Sequence, residues 1–158
     1  MILAIAIIIY SAAMTLANLS IAAFGPAISP LNSFVLIGLD LTLRDWLQVR
    51  MNAWQMGALI FFAGILTYAM NPETGMIATA SAFAFSAAAL ADWATFTRLR
   101  GSWTFRANGS NVVGAAVDSL IFPTLAFGVL MPHIVALQFI SKVAGGAVWT
   151  ALLARKVD

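Results

Sequence analysis

The run Phe34-Val35-Leu36-Ile37-Gly38-Leu39-Asp40-Leu41-Thr42-Leu43-Arg44 decides the fold. It is apolar enough to lie in lipid, yet it holds a carboxylate and a guanidinium four residues apart, one above the other on a helix face. A charge near the bilayer centre costs about 2.5–3.5 kcal/mol on insertion scales, and more on an isolated helix. Helices rarely present that cost to lipid, so Asp40 and Arg44 are expected to face a protein interior. Asp92, Asp118 and Lys142 sit in apolar runs of the same kind. Charges so placed should meet one another, and a polar ligand, inside a bundle.

The rest of the composition agrees. Of 158 residues, 62% are hydrophobic and 9% charged, where a soluble domain carries about 25% charge. An all-α polytopic membrane protein in one compact domain is the expectation. The net charge of +2 is small, and its placement matters more than its size. With no cysteine in the chain, a disulfide framework, a thiolate metal site and a cysteine nucleophile are excluded. Met1-Ile2-Leu3-Ala4 lacks a basic segment, so the first apolar run reads as a retained helix rather than a cleaved signal.

Apolar runs of spanning length predict six helices, at about 2–23, 31–47, 53–70, 75–97, 109–130 and 133–154. Gly25-Pro26 and Ser29-Pro30 break the chain after the first, Asn71-Pro72 stops the third, and Pro132 follows the fifth. Arg44 and Arg50 flank the loop between helices two and three. Arg98, Arg100 and Arg106 lie between helices four and five, and Arg155 and Lys156 follow helix six. The other connections hold only Glu73 and His133. All basic clusters thus fall on one side, which the positive-inside rule makes cytoplasmic, with both termini inside. Trp46, Trp54, Trp93, Trp103 and Trp149 lie near the same helix ends, as an interfacial belt would. The arginines therefore read as a topology signal and not as a nucleic-acid surface. Asn108-Gly109-Ser110 matches a glycosylation sequon, but its cytoplasmic placement argues against modification.

Depth sorts the polar residues. Asp40, Asp118 and Lys142 fall near helix midpoints, and Asp92 and Arg44 nearer the cytoplasmic ends, where a pair between them is expected. Asn111 and Asp118 are seven apart on one face, with Gly114 and Ala115 between them to permit close backbone approach. Ser81, Phe85, Ala88 and Asp92 line a face of the fourth helix, and Asn18 is a further polar position in the first. Each ion pair alone could be structural glue. As a set, they exceed what six small helices need for association and point to a functional cavity. An enzyme is not expected. His133 is the lone histidine and sits away from the buried aspartates, so neither a Ser-His-Asp set nor a metal chelate forms. No phosphate-cradling loop is present, and no cofactor is expected.

Four strings carry a family resemblance. The opening run contains Asp40-Leu41-Thr42-Leu43-Arg44. Asp92 precedes Phe96-Thr97-Arg98-Leu99-Arg100. Ser110, Gly114, Asp118 and Phe122 follow at four-residue spacing, and Lys142 precedes an apolar stretch. In this order, from roughly Ser33 to Leu153, they resemble the vitamin uptake transporter family, the queuosine-precursor transporters. Ala115 stands where some members have asparagine, and Asp45 where an apolar residue is common. The resemblance implies uptake of the cyano and aminomethyl deazaguanines across the inner membrane. It implies a substrate site drawn from Asp40, Arg44, Phe85, Asp92, Asn111, Asp118 and Lys142. Residue chemistry is compatible with that ligand. A carboxylate matches the paired N–H donors of a guanine-like edge, Lys142 or Asn111 a carbonyl, and Phe85, Phe122 or Trp93 a flat face. Lys142 either contacts the ligand or neutralises a carboxylate in the empty protein. Expected partners are the bilayer and a purine-like molecule, with room for a homodimer. Two other readings stand beside this one. One is a substrate-binding subunit of an energy-coupling-factor importer. The other is a scaffold without ligand, in which all charges pair internally and leave no cavity.

Overall fold

The computed structural model describes residues 2–24, 28–70 and 75–154, excepting the side chains of 18, 21, 22 and 75–78. Every element among them is helical: α1 (Ile2–Phe24), α2 (Ser29–Asn32), a π-helical segment (Ser33–Ile37), α3 (Gly38–Gln48), α4 (Ala53–Ala69), α5 (Gly75–Arg98), α6 (Trp103–Phe127) and α7 (Pro132–Ala154). The residues joining α2, the π segment and α3 keep right-handed helical dihedrals, so Ser29–Gln48 runs on as one rod. The expected breakers at Gly25-Pro26 and Asn71-Pro72, the side chain of Asn18, and the charges Glu73, Arg155 and Lys156 lie outside the described residues.

Three helix ends differ from the sequence expectation. The second rod starts at Ser29 rather than 31, because Pro30 falls in its first turn, where a missing N–H costs nothing. The helix expected from 109 starts at Trp103. Ser102 caps it, its side chain accepting the Phe105 N–H at 3.2 Å. Arg106 and Asn108, polar enough to read as loop, ride on that first stretch of helix. Arg106 ties the end of α5 to the start of α6, donating through Nε and Nη2 to the Phe96 carbonyl at 3.2 and 3.1 Å. The same helix ends at Phe127 rather than 130, because Gly128 adopts φ +69°, the left-handed conformation that closes helices. Its internal Pro123 does not interrupt it.

Two connections share one end of the bundle. Gln48, closing α3, donates to Thr97 near the end of α5 at 2.8 Å. Asn52 then starts α4 with reciprocal side-chain bonds to and from Gln55. Arg50, Arg98, Arg100 and Arg106 all lie here and make this the basic end of the bundle. Of the tryptophans expected as a belt at this end, Trp54 is exposed, but Trp46 and Trp103 are buried. They join Tyr10, Leu47, Met56, Ile60 and Phe96 in the apolar core, where Arg50 covers the Trp46 ring at 3.7 Å. Trp149 turns its indole N–H to the Val35 carbonyl in the π segment, at 2.9 Å.

α3 is the centre. It packs against α1, α4, α5, α6 and α7, and every residue from Asp40 to Leu47 is buried. α6 packs most extensively on α5 and next on α7. The closest crossing lies between α7 and the second rod. A Cβ on Gly38 would stand 2.6 Å from the Gly145 backbone carbon, and one on Gly145 would strike the Phe34 carbonyl. Glycine at both positions lets the backbones touch.

The surface inverts the soluble pattern. Ile8, Phe61, Phe62 and Ile140 are each more than 60% exposed, whereas Asp40, Arg44, Asp45 and Asp92 are at most 1% exposed. α6 and α7 are long and apolar enough to cross a membrane, and Ile2–Ala17 and Ala53–Ala69 are shorter apolar helices.

Candidate functional site

The buried charges on α3 form the hub. Asp40 and Arg44 share a face because they are four apart, and Arg44 Nη2 donates to Asp40 Oδ2 at 2.6 Å. α5 brings Asp92 to the other side of the guanidinium, where Nη1 donates to Asp92 Oδ2 at 3.0 Å. The pair expected between Arg44 and Asp92 is thus present, and Asp40 joins it. The ring centroids of Phe85 and Tyr10 lie 5.6 and 5.9 Å from Arg44 Cζ. A planar, weakly hydrated guanidinium suits this mixture of carboxylates and aromatic faces better than an ammonium would.

A second pair lies between α6 and α7. Lys142 Nζ donates to Asp118 Oδ2 at 2.6 Å, to Gln138 Oε1 at 3.0 Å and to Ser119 Oγ at 3.1 Å. All three ammonium protons are therefore engaged. Lys142 is thus paired with the Asp118 carboxylate. Gln138 continues the chain, donating to Ser29 Oγ at 3.3 Å at the end opposite the basic one.

Two further polar clusters sit toward the basic end. Ser110 Oγ lies 2.9 Å from Asp45 Oδ2, to which it donates. Asn111 Nδ2 stands 3.4 Å from both Thr42 Oγ1 and Thr150 Oγ1, and the one Thr42 hydroxyl proton has two carbonyl acceptors in reach, Gly38 at 3.0 Å and Gly146 at 3.2 Å. Asn111 is thus part of a clamp between α3, α6 and α7.

Two small cavities follow the charges. An inner one of about 10 Å³ is lined by Asp40, Arg44, Phe85, Gly114, Asp118 and Lys142, among others. An outer one of about 40 Å³ is lined by Ser29, Asn32, Ser33, Phe122 and Gln138, and shares Asp118 and Lys142 with the first. The Asp118–Lys142 pair therefore stands where the two meet. Neither cavity approaches the roughly 300–1,000 Å³ of ordinary ligand pockets. A larger cleft of about 320 Å³ opens between α6 and α7, but Leu120, Leu130, Val135 and Phe139 dominate its walls and none of the charges reach it.

Of the residues singled out from sequence, Asp40, Arg44, Phe85, Asp118 and Lys142 line the inner cavity. Asp92 reaches it only through Arg44, and Asn111 and Trp93 line neither cavity. Three residues were not anticipated: Tyr10, Asp45 as a fully buried carboxylate, and Gln138. Gln138 stands four residues before Lys142, a spacing that places both on one helix face and was readable beforehand. Among the described residues, no group of three potential ligands is arranged to hold a metal ion.

A helical bundle with an apolar exterior, buried paired charges and two helices long and apolar enough to cross a membrane has the pattern of a membrane protein. A family described as "Putative vitamin uptake transporter" matches residues 1–155. The chain belongs to that vitamin uptake transporter family, a family of transporters rather than of enzymes. No curated protein and no solved structure matches it.

Proposed function

We propose that this chain is a six-span transporter of the inner membrane, with both termini cytoplasmic, that imports the deazaguanine precursors of queuosine. The observation that carries the reading is the position of Asp118 and Lys142 at the junction of the outer and inner cavities. A ligand entering from the outer cavity meets this pair first. The adjacent N–H donors of a guanine-like edge take the Asp118 carboxylate, and Lys142, released from it, finds the ligand carbonyl. Phe122 on the outer wall and Phe85 on the inner one offer aromatic faces to a flat ring. A base lacking those donors leaves a buried carboxylate unmet, which such sites reject strongly. Asp40, Arg44 and Asp92 close the passage toward the basic end.

The test is queuosine in tRNA. The chain is expressed alone in bacteria that neither make nor import the precursors, and each precursor is fed at low concentration. Queuosine returns with the native chain and is lost with Asp118→Asn at equal membrane abundance. Absence of rescue by a correctly inserted native chain would overturn the self-sufficient transporter reading for these substrates.

One observation favours a second reading, a scaffold without ligand: among the described residues, both buried cations, Arg44 and Lys142, are already paired with carboxylates. Against it stand the two cavities that meet at Asp118, and the buried oxygens of Asp40 and Asp92 that have no hydrogen-bond partner. A scaffold predicts no rescue with either precursor, and full function of the Asp118→Asn, Lys142→Met double variant in whatever assembly it serves.

A further inference from the structure

One buried carboxylate has no task in the transport path. Asp45 is fully buried on α3, one residue past Arg44, and lines neither cavity. Among the described residues it is also the one aspartate without an ion pair, since Arg44 serves Asp40 and Asp92 while Lys142 serves Asp118.

Its surroundings compensate it poorly. From α5 it faces Asp92, a like charge and the charged group that acts on it most. From α6 it faces Ser110 and Arg106, but Arg106 lies against the Phe96 ring and donates to the Phe96 carbonyl. Arg44, beside it on α3, is held by two other carboxylates. α1 brings Tyr10, set against Arg44, and α7 brings Lys142, engaged with Asp118. α4 brings no charged residue, and its Tyr68 stands near the far end. A carboxyl in a low-dielectric interior without a cation of its own keeps its proton rather than a charge.

Hydrogen bonding argues the same way. Ser110 Oγ stands 2.9 Å from Asp45 Oδ2 and 3.0 Å from the Ala107 carbonyl, with one proton to give. With Asp45 ionised, Ser110 gives that proton to Oδ2, and the Ala107 contact has none. With Asp45 protonated, the acid donates to Ser110 Oγ and Ser110 donates to the Ala107 carbonyl, so both contacts are hydrogen bonds. Asp45 Oδ1 is buried with no partner, which costs a neutral carboxyl far less than a carboxylate. Asp92 stands beside this pair. A Cβ on Gly114, one turn after Ser110 on the same face of α6, would lie 3.2 Å from Asp92 Cβ.

We propose that Asp45 and Ser110 form a proton-binding site, occupied while Arg44 spans Asp40 and Asp92, and that its proton is carried inward with the substrate. When Arg44 leaves Asp92, the Asp45 O–H bond breaks and the proton passes to water at the basic end. The electron pair stays on Asp45, whose charge Arg44 then answers. The coupling rests on the transporter reading above; the proton site does not.

Two measurements on the purified chain in liposomes test this. Infrared spectra at neutral pH should show a carboxylic-acid C=O band that moves in deuterium oxide, and Asp45→Asn should lose it. Ser110→Ala, which keeps the acid and removes its acceptor, should shift the band without abolishing it. Uptake of the neutral cyano compound is then followed with the membrane potential clamped. Its steady accumulation ratio should rise up to about tenfold for each pH unit of inward proton gradient, as one proton per solute requires. Asp45→Asn should hold that ratio near one at every gradient. A native chain without the band, or a band that survives Asp45→Asn, overturns the site. Native uptake that ignores the gradient overturns the coupling, and both results leave the transporter reading intact. If the native chain moves no precursor, that reading falls and the coupling with it, while the infrared band still decides the site. Should Asp45→Asn fail to fold, the Ser110→Ala shift and the native gradient response decide.

Discussion

At the scale of single residues, the two cations play different parts. Lys142 is held by three acceptors and its removal would strand Asp118 beside a cavity. Lys142→Met should therefore lower stability by about 3–5 kcal/mol, the usual result of breaking a buried pair from one side. Adding Asp118→Asn should recover most of that loss, since both charges then leave together. Thermal unfolding in detergent checks the pair of values. Uptake separates structure from transport: the double variant should be folded and inactive. Arg44→Lys makes a different point. A single ammonium cannot span Asp40 and Asp92 at 2.6 and 3.0 Å and also lie between the faces of Phe85 and Tyr10. That variant should melt at a lower temperature, by an amount equivalent to about 1–3 kcal/mol, with one carboxylate left unmet. A variant as stable as the native protein would mean that the planar fork is not what holds the hub. The hub was partly legible in sequence. Asp40 and Arg44 announce themselves by four-residue spacing, and Asp92 by a matching depth in another helix. What remained hidden was rotation about each helix axis. Nothing in the spacing of Asn111 says that it faces Thr42 and Thr150 rather than the cavity, and nothing marks Ser110 as the partner of Asp45.

At the scale of elements, the crossing of α7 over the second rod is the tightest joint in the fold. The π segment lies in it, lending the Val35 carbonyl to Trp149, while Phe34 lies against Gly145. π-Helical turns often mark functional positions in otherwise regular helices. Here the widened turn sits one residue before Gly38, which begins the helix carrying the hub. Gly145→Ala should force backbone away from backbone and destabilise by the 1–3 kcal/mol typical of overpacking or more, lowering the melting temperature. Gly57→Ala, where an added Cβ meets nothing within 4 Å, is the matched control and should be neutral or slightly stabilising. Equal effects at the two glycines would show that the close crossing does not hold the rods together. The helices themselves were largely readable from apolar length, but their ends were not. Apolar length measures the part of a helix suited to lipid. α6 begins six residues before the expected 109, on Trp103, Arg106 and Asn108, because Ser102 rather than the edge of the apolar run sets its start. Pro30 likewise reads as a breaker and acts as a helix start. The π segment has no signal in composition at all.

At the scale of the whole molecule, the pattern is an apolar exterior around a polar axis. Ser29, Gln138, Lys142, Asp118, Asp40, Arg44, Asp92 and Asp45 follow one another from one end of the bundle toward the other, with two cavities meeting at Asp118 and Lys142. Such an axis conducts a solute only if its ends face different compartments, so transport depends on the orientation of the bundle. The chain is suited to measuring it, because it contains no cysteine and single cysteines report without background. Arg50, Arg100 and His133 are all exposed, the first two at the basic end and the last at the start of α7. Two helices, α4 and α5, separate Arg50 from Arg100, and one, α6, separates Arg100 from His133. Six spans with cytoplasmic termini therefore predict a strict pattern in intact cells. His133→Cys should react with a membrane-impermeant maleimide, whereas Arg50→Cys and Arg100→Cys should react only after permeabilisation. Reaction of Arg100→Cys and His133→Cys from the same side would mean that α6 does not cross. Asp118 would then lie beside the membrane instead of within it, and the argument that burial forces its pairing with Lys142 would lose its ground. Opposite behaviour of Arg50→Cys and Arg100→Cys would remove either α4 or α5 from the membrane, and with α5 the partner that Asp92 provides to Arg44.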